Sequence, residues 1–268
     1  MKINPRTPPR RRWVGIALAL MTAAGGLALG AACVPLPSPT AAPSHILSDL
    51  KWHKLGRPEG PGPFPAMIVL HGCGGIGRRE PEWAERLRGW GYVTLILDSL
   101  GPRGYRDVCQ QANVTRADRI ADAQAAAAYL RRLDFVQPDR IGVIGFSHGG
   151  WTTLGIVQSR SNPPLFQAAV AFYPRCDPEK DANVGLPLLI LIGGRDDWTP
   201  ASRCRDLMPR LIRPGTTELV VYPEAYHDFD FAHETRDYLN HHLAYDPAAA
   251  ADAIERTRVF LERHLKKY

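Results

Sequence analysis

The sequence predicts an α/β domain, a mainly parallel sheet covered by helices on both faces. Three observations carry that reading. Short apolar, β-branched runs recur along the second part of the chain, each fit for a strand buried on both faces. Amphipathic stretches of ten residues or more lie between most of them, several with Pro or an acid in the first turn. A chain of 268 residues with 45% hydrophobic and 22% charged composition can bury one sizeable core.

In chain order, residues 1–32 read as an export leader: Arg10-Arg11-Arg12 precedes the uncharged, Ala/Gly/Leu-rich run Trp13 to Ala32. That run is also long enough for an uncleaved single-helix anchor. The small residues at its end and the Pro-rich linker at 33–45 favour removal. Arg10 to Val14 faintly resembles a twin-arginine signal, and Leu29 to Cys33 a lipoprotein cleavage box, with Gly30 where Leu, Val or Ile is usual. The leader also explains the charge. Lys2, Arg6, Arg10, Arg11 and Arg12 supply most of the formal +6, so the rest of the chain carries only +1 and no nucleic-acid face is implied.

The domain then occupies residues 46–268. Its strands are expected at Ala66 to His71, Tyr92 to Asp98, Arg140 to Phe146, Ala168 to Tyr173, Leu186 to Ile192 and Glu218 to Tyr222. Its helices are expected at Pro81 to Trp90, Arg116 to Leu133, Gly149 to Gln158, Ala201 to Ile212 and Pro247 to Leu265. Neither an internal repeat nor a second domain is evident. In such sheets chemistry gathers where strands end.

Two strand-end motifs compete. Gly72 to Gly77 satisfies G-x-G-x-x-G, with Asp98 closing the next strand as a ribose-binding acid would. Against a dinucleotide, Arg78-Arg79-Glu80 separate the glycines from the helix start expected at Pro81, which displaces the cradle from the helix dipole. Gly145-Phe146-Ser147-His148-Gly149 is a G-x-S-x-G between a strand and a helix. There the serine must stand on a strained turn, and the flanking glycines let the backbone pass.

A serine nucleophile needs a base and an orienting acid, in the chain order Ser, acid, His. The loop Gly193 to Pro200 supplies Asp196 and Asp197, and the loop after Glu218 to Tyr222 supplies His227. Register favours Asp196 as the acid, leaving Asp197 to accept backbone N–H bonds at the turn into the next helix. His148 adjoins the serine and His71 ends an earlier strand, while His241 and His242 read as solvated surface. The amides of Cys73 and His148 are the expected oxyanion donors. No cofactor or metal is expected: no pair of cysteines has CxxC spacing, and His233 to Asp237 lacks the second histidine of a zinc-protease helix.

With His71 to Gly75, Asp98 to Gly104, Gly145 to Gly150, Gly194 to Pro200 and Tyr222 to Asp228 in place, the chain over residues 46 to 265 resembles the dienelactone hydrolase family. The resemblance implies the α/β-hydrolase fold, Ser147 as nucleophile, His227 as base and Asp196 as orienting acid. Serine stands here where the best-known members carry cysteine, which favours general ester chemistry. The expected substrate is a small ester or lactone. Arg103 and Arg106 are candidates to hold a substrate carboxylate, although surface solubility is the favoured account of them. A peptidase of the same fold and a non-catalytic binding lipoprotein are the alternatives.

Five cysteines are present, and if Cys33 is lost or lipidated an even four remain. An exported, periplasmic domain holds these as two disulfides; the alternative is four buried thiols. Cys73 and Cys109 follow neighbouring strands in the expected sheet order, as do Cys176 and Cys204, so those pairings are expected, with the cross-pairings left open by the sequence alone. The membrane is reached only through the leader or a lipid on Cys33.

Overall fold

The computed structural model describes residues 53–159, 164–177, 183–212 and 216–266. The leader, the linker and Cys33 lie outside the described residues. Seven strands form one sheet: β1 (Lys54–Gly56), β2 (Phe64–Leu70), β3 (Val93–Leu97), β4 (Val136–Phe146), β5 (Ala168–Phe172), β6 (Leu188–Gly193) and β7 (Thr217–Tyr222). Their order is β1-β3-β2-β4-β5-β6-β7, and every pairing except β1 with β3 is parallel. The inner strands are buried along nearly their whole length, as their unbroken apolar runs require.

Helices α1 (Arg79–Gly89), α2 (Arg116–Leu130), α3 (His148–Gln158), α4 (Ala201–Leu207) and α5 (Pro247–Leu265) cover both faces. Thr115 starts α2 with a capping box closed by Asp118, and Asp246 caps α5 by accepting from the amides of Ala248 and Ala249. Helix α1 begins two residues before Pro81 because the Glu80 carboxylate accepts from Gly77 N at 2.7 Å. The glycine loop therefore meets a carboxylate of its own chain, which opposes the phosphate of a nucleotide reading. Helix α4 stops at Leu207 and gives way to a 3-10 turn at Met208–Arg210, since Pro209 has no N–H to continue the ladder.

Two elements were not anticipated. Strand β1 lies in a stretch dominated by charge and glycine, and a two-stranded hairpin, β8 (Arg236–Tyr238) with β9 (His241–Leu243), occupies what the sequence suggests is solvated surface. His241 stacks on Trp198 at 4.8 Å and 12° between planes, so this histidine pair belongs to a packed hairpin.

Topology fixes where a site can form. From β2 the chain moves outward to β3, returns across β2 to β4, and then runs the other way through β5, β6 and β7. Strand order reverses between β2 and β4, and the crevice beyond their carboxyl ends is the place where open α/β sheets bind ligands. Leu70 of β2 is in register with Gly145 of β4, so the Gly72 loop and Ser147 emerge side by side.

Candidate active site

Ser147 joins β4 to α3 with φ 52° and ψ −113°, a conformation that L-residues avoid. The flanking glycines make this geometry possible. A Cβ on Gly145 would lie 2.3 Å from Gly149 O, and one on Gly149 would lie 2.3 Å from Leu70 O. The turn is held by Ser147 N, which donates to Phe172 O at 3.0 Å. The serine thus stands proud of the sheet, on the wall of a 740 Å³ cavity that Cys73, Trp198 and His227 also line.

Asp196 follows β6 and is bonded on both oxygens. Its Oδ1 accepts the Trp198 and Thr199 amides at 3.0 and 2.8 Å. Its Oδ2 accepts the Thr199 hydroxyl at 2.9 Å and His227 Nδ1 at 2.8 Å. Both side chains of the Asp196–His227 pair are buried. Burial works against a charged imidazole, but the Asp196 charge and hydrogen bond, with Asp228 assisting, raise the His227 pKa above its ordinary value. Among the described residues the Ser147 hydroxyl has no hydrogen-bond partner; it shares the cavity wall with His227 without a direct bond, a looseness common at such sites before substrate arrives.

Asp197 does something other than cap the turn. Its carboxylate accepts from His242 N at 3.2 Å and faces His241 Nδ1 at 3.5 Å, so it anchors the β8–β9 hairpin. The turn amides are satisfied by Asp196 itself. That hairpin forms part of the cavity rim: Arg236, Tyr238 and Leu243 line it, and the Tyr238 hydroxyl reaches Asp107 at 3.2 Å.

The expected oxyanion donors come from two strands. His148 is the first residue of α3, where amides lack an intrahelical acceptor. Cys73 lies in the loop after β2, and an added Cβ on Gly72 would sit 3.8 Å from the Ser147 Cβ, which shows how closely this loop approaches the serine. Cys73 is disulfide-bonded to Cys109, and Cys176 to Cys204. Val108 N also donates to Cys73 O at 2.9 Å.

The two arginine candidates are not brought to this cavity. Arg103 makes a bidentate pair with buried Asp122, at 2.7 and 2.9 Å, and donates to Ser99 O, so its guanidinium fixes the loop after β3. Arg106 lines a separate 390 Å³ cavity with Asp98 and Tyr105. Arg78, Arg79 and Arg236 do line the Ser147 cavity, and of these the buried Arg79 is unforeseen. It pairs with Asp228 at 2.5 Å and lies over the Phe231 ring at 4.4 Å. Next to it Asp230 accepts from the Tyr173 hydroxyl at 2.6 Å and from Trp83 Nε1 at 2.7 Å. The alternating Asp228-Phe229-Asp230 after His227 was the available signal, because two acids beside a buried histidine need a cation or donors. Among the described residues no cluster of three or more His, Cys, Asp or Glu side chains could hold a metal ion, and no helix is long and apolar enough to cross a membrane.

Residues 53–265 match the dienelactone hydrolase family. A Bradyrhizobium sp protein named "Probable 2-oxo-3-(5-oxofuran-2-ylidene)propanoate lactonase" is 29% identical over 232 residues, covering 79% of this chain and 88% of its own. Among solved structures, a dienelactone hydrolase-like promiscuous phosphotriesterase from metagenomic libraries superposes with TM-score 0.64 at 21% identity, covering 79% of this chain and 92% of the other. A butyrate-bound esterase from Thermogutta terrifontis superposes with TM-score 0.61 at 20% identity, covering 81% and 91%. At those identities the two structures speak for the fold.

Proposed function

Because this chain belongs to the dienelactone hydrolase family, we propose that it cleaves a carboxylic ester or lactone by two-step acyl transfer through Ser147, His227 and Asp196. The observation that carries the reading is the 2.8 Å bond from His227 Nδ1 to Asp196, with His227 and the strained Ser147 lining one cavity. Asp196 holds the Nδ1–H tautomer, which leaves Nε2 free to take the serine proton. The alkoxide attacks the carbonyl, the Cys73 and His148 amides bind the oxyanion, and protonated His227 hands its proton to the leaving alcohol. Water activated by the same imidazole then releases the acid.

A cavity of 740 Å³ suits a small molecule, and the Bradyrhizobium relative's name supports including lactones. Export to the periplasm is part of the proposal, with the leader removed or Cys33 lipidated; two disulfides favour an oxidising compartment. The test is labelling of intact protein by a fluorophosphonate, beside panels of chromogenic esters, lactones and peptides. Labelling and ester turnover lost in Ser147→Ala support the reading. Absence of labelling returns the chain to a binding role, and peptide turnover without ester turnover makes it a peptidase.

A further inference from the structure

We propose that Arg119 is a positioning residue for the oxyanion hole, holding both of its amide-bearing segments from beneath and placing a buried positive charge behind them. The proposal rests on the acyl-transfer reading of Ser147.

Arg119 belongs to α2 and is fully buried. Its guanidinium is hydrogen-bonded to neutral acceptors: Nη2 donates to His71 O at 2.6 Å, and Nη1 to His148 Nδ1 at 2.5 Å. Among the described residues no carboxylate lies within 4.0 Å of it, and the acids that act on it, Asp122, Glu80 and Asp98, do so from a distance. A buried cation without a bonded anion is costly, and such a group persists where it meets another need.

The two acceptors indicate that need. His71 immediately precedes the Gly72–Cys73 peptide, and His148 contributes the second amide. These segments follow different strands, β2 and β4, and one planar guanidinium bridges them. His71 carries the bridge one bond further. Its Nδ1–H donates to Gly72 O at 2.6 Å while Nε2 accepts from Ser99 N at 3.3 Å. In a planar trans peptide the N–H points opposite to the carbonyl, so a Gly72 oxygen drawn to His71 directs the Cys73 N–H the other way. Burial and the Arg119 charge keep both imidazoles neutral, His148 with a pKa of about 3, so each remains available as an acceptor or fixed donor across the working pH range.

If Arg119 served only to attach α2 to the sheet, its loss would lower stability and reduce substrate and transition-state binding without distinction. Arg119→Met and Arg119→Lys are therefore compared with the parent for kcat, KM, melting temperature, the active fraction titrated by a fluorophosphonate, and the inhibition constant of a trifluoromethyl ketone, whose hemiketal adduct with Ser147 places an oxyanion in the hole. The expected result for Arg119→Met, per titrated site, is a kcat lower by about 10² to 10³ with KM nearly unchanged. The ketone inhibition constant should rise by the same factor. Arg119→Lys keeps the charge but cannot span both acceptors and should fall between. Should Arg119→Met not fold, His148→Leu removes one acceptor and His148→Gln retains one, so kcat should fall in the first and recover in the second. Unchanged kcat in Arg119→Met, or equal loss in His148→Leu and His148→Gln, overturns the proposal while leaving Ser147 chemistry intact. A parent protein that no fluorophosphonate labels overturns both.

Discussion

Asp196→Asn isolates the acid without altering shape. The Oδ1 atom of Asp196 is already committed to two backbone amides, at 3.0 and 2.8 Å. An asparagine must keep its carbonyl oxygen there, since two N–H donors cannot face an NH₂ group. Its amide nitrogen is thereby forced into the Oδ2 position, 2.8 Å from His227 Nδ1. Two donors cannot meet, so Nδ1 must lose its proton and the imidazole adopts the Nε2–H tautomer, which cannot accept from Ser147. The expected loss is on the order of 10⁴ in kcat, the size found when such an acid is neutralised in a serine-protease triad. Stability changes less, because the two turn-closing bonds survive and only the charge-assisted ones are weakened, by about 1–3 kcal/mol. Steady-state hydrolysis of a chromogenic ester and a thermal melt measure the two quantities. A variant retaining a tenth of parental kcat would refute the tautomer argument. Asp197→Asn is the internal control. Half-exposed and bonded to the hairpin at His242 N, it should leave kcat nearly intact, raise KM by loosening the cavity rim, and cost under about 1 kcal/mol.

Further expectations follow from the same geometry. Ser147→Ala should lower kcat by about 10⁴ to 10⁶ with the fold preserved, measured by ester turnover and circular dichroism. The acid limb of kcat/KM should lie above the ordinary imidazole value of 6.5, because Asp196 raises the His227 pKa and the base must be neutral; Asp196→Asn should move that limb down. The same pair stabilises the fold fully below the ordinary imidazole value and progressively less as pH rises through the raised folded value, so melts across that window should show a decline that Asp196→Asn abolishes. Gly149→Ala puts a Cβ 2.3 Å from Leu70 O and 2.7 Å from His71 O, which side-chain movement cannot relieve, and should cost about 3 kcal/mol or more by denaturant titration. A mild dithiol should open Cys73–Cys109, which lines the cavity, before Cys176–Cys204, whose sulfurs lie in residues 1% and 0% exposed. Turnover should then fall before the melting temperature does, as followed by thiol mapping alongside activity.

The fold was legible because its determinants are local. A strand buried on both faces must be an apolar run, so β2, β3, β5 and β6 announce themselves. Strand β1 does not, since Lys54-Leu55-Gly56 owes its conformation to the edge of β3, against which it lies antiparallel. The G-x-S-x-G turn is likewise local: the strain at Ser147 and the two close backbone approaches are met within five residues. The disulfide pairings became readable once the family sheet order was supposed, since that order brings the loops after β2 and β3 together, as it does the segments after β5 and β6.

What escaped the sequence is the set of contacts made by polar side chains across long stretches of chain. Arg79 and Arg119 lie in charged, helix-forming segments and look like surface residues of amphipathic helices, yet both are buried. Arg119 meets acceptors 29 and 48 residues away, and Tyr238 meets Asp107 across 131. Hydrophobic periodicity cannot expose such groups, because it reports which face a helix buries and says nothing of which polar side chains that face carries inward. Their burial becomes intelligible at the reversal of strand order. There the loops after β2 and β4 lie side by side, the loop after β7 brings His227 to the same cavity, and their polar groups must be held by something other than the apolar core. A guanidinium with five fixed donors meets that requirement where no hydrocarbon can: among the described residues buried Arg79 lines the Ser147 cavity, and buried Arg119 bridges His71 O and His148 Nδ1.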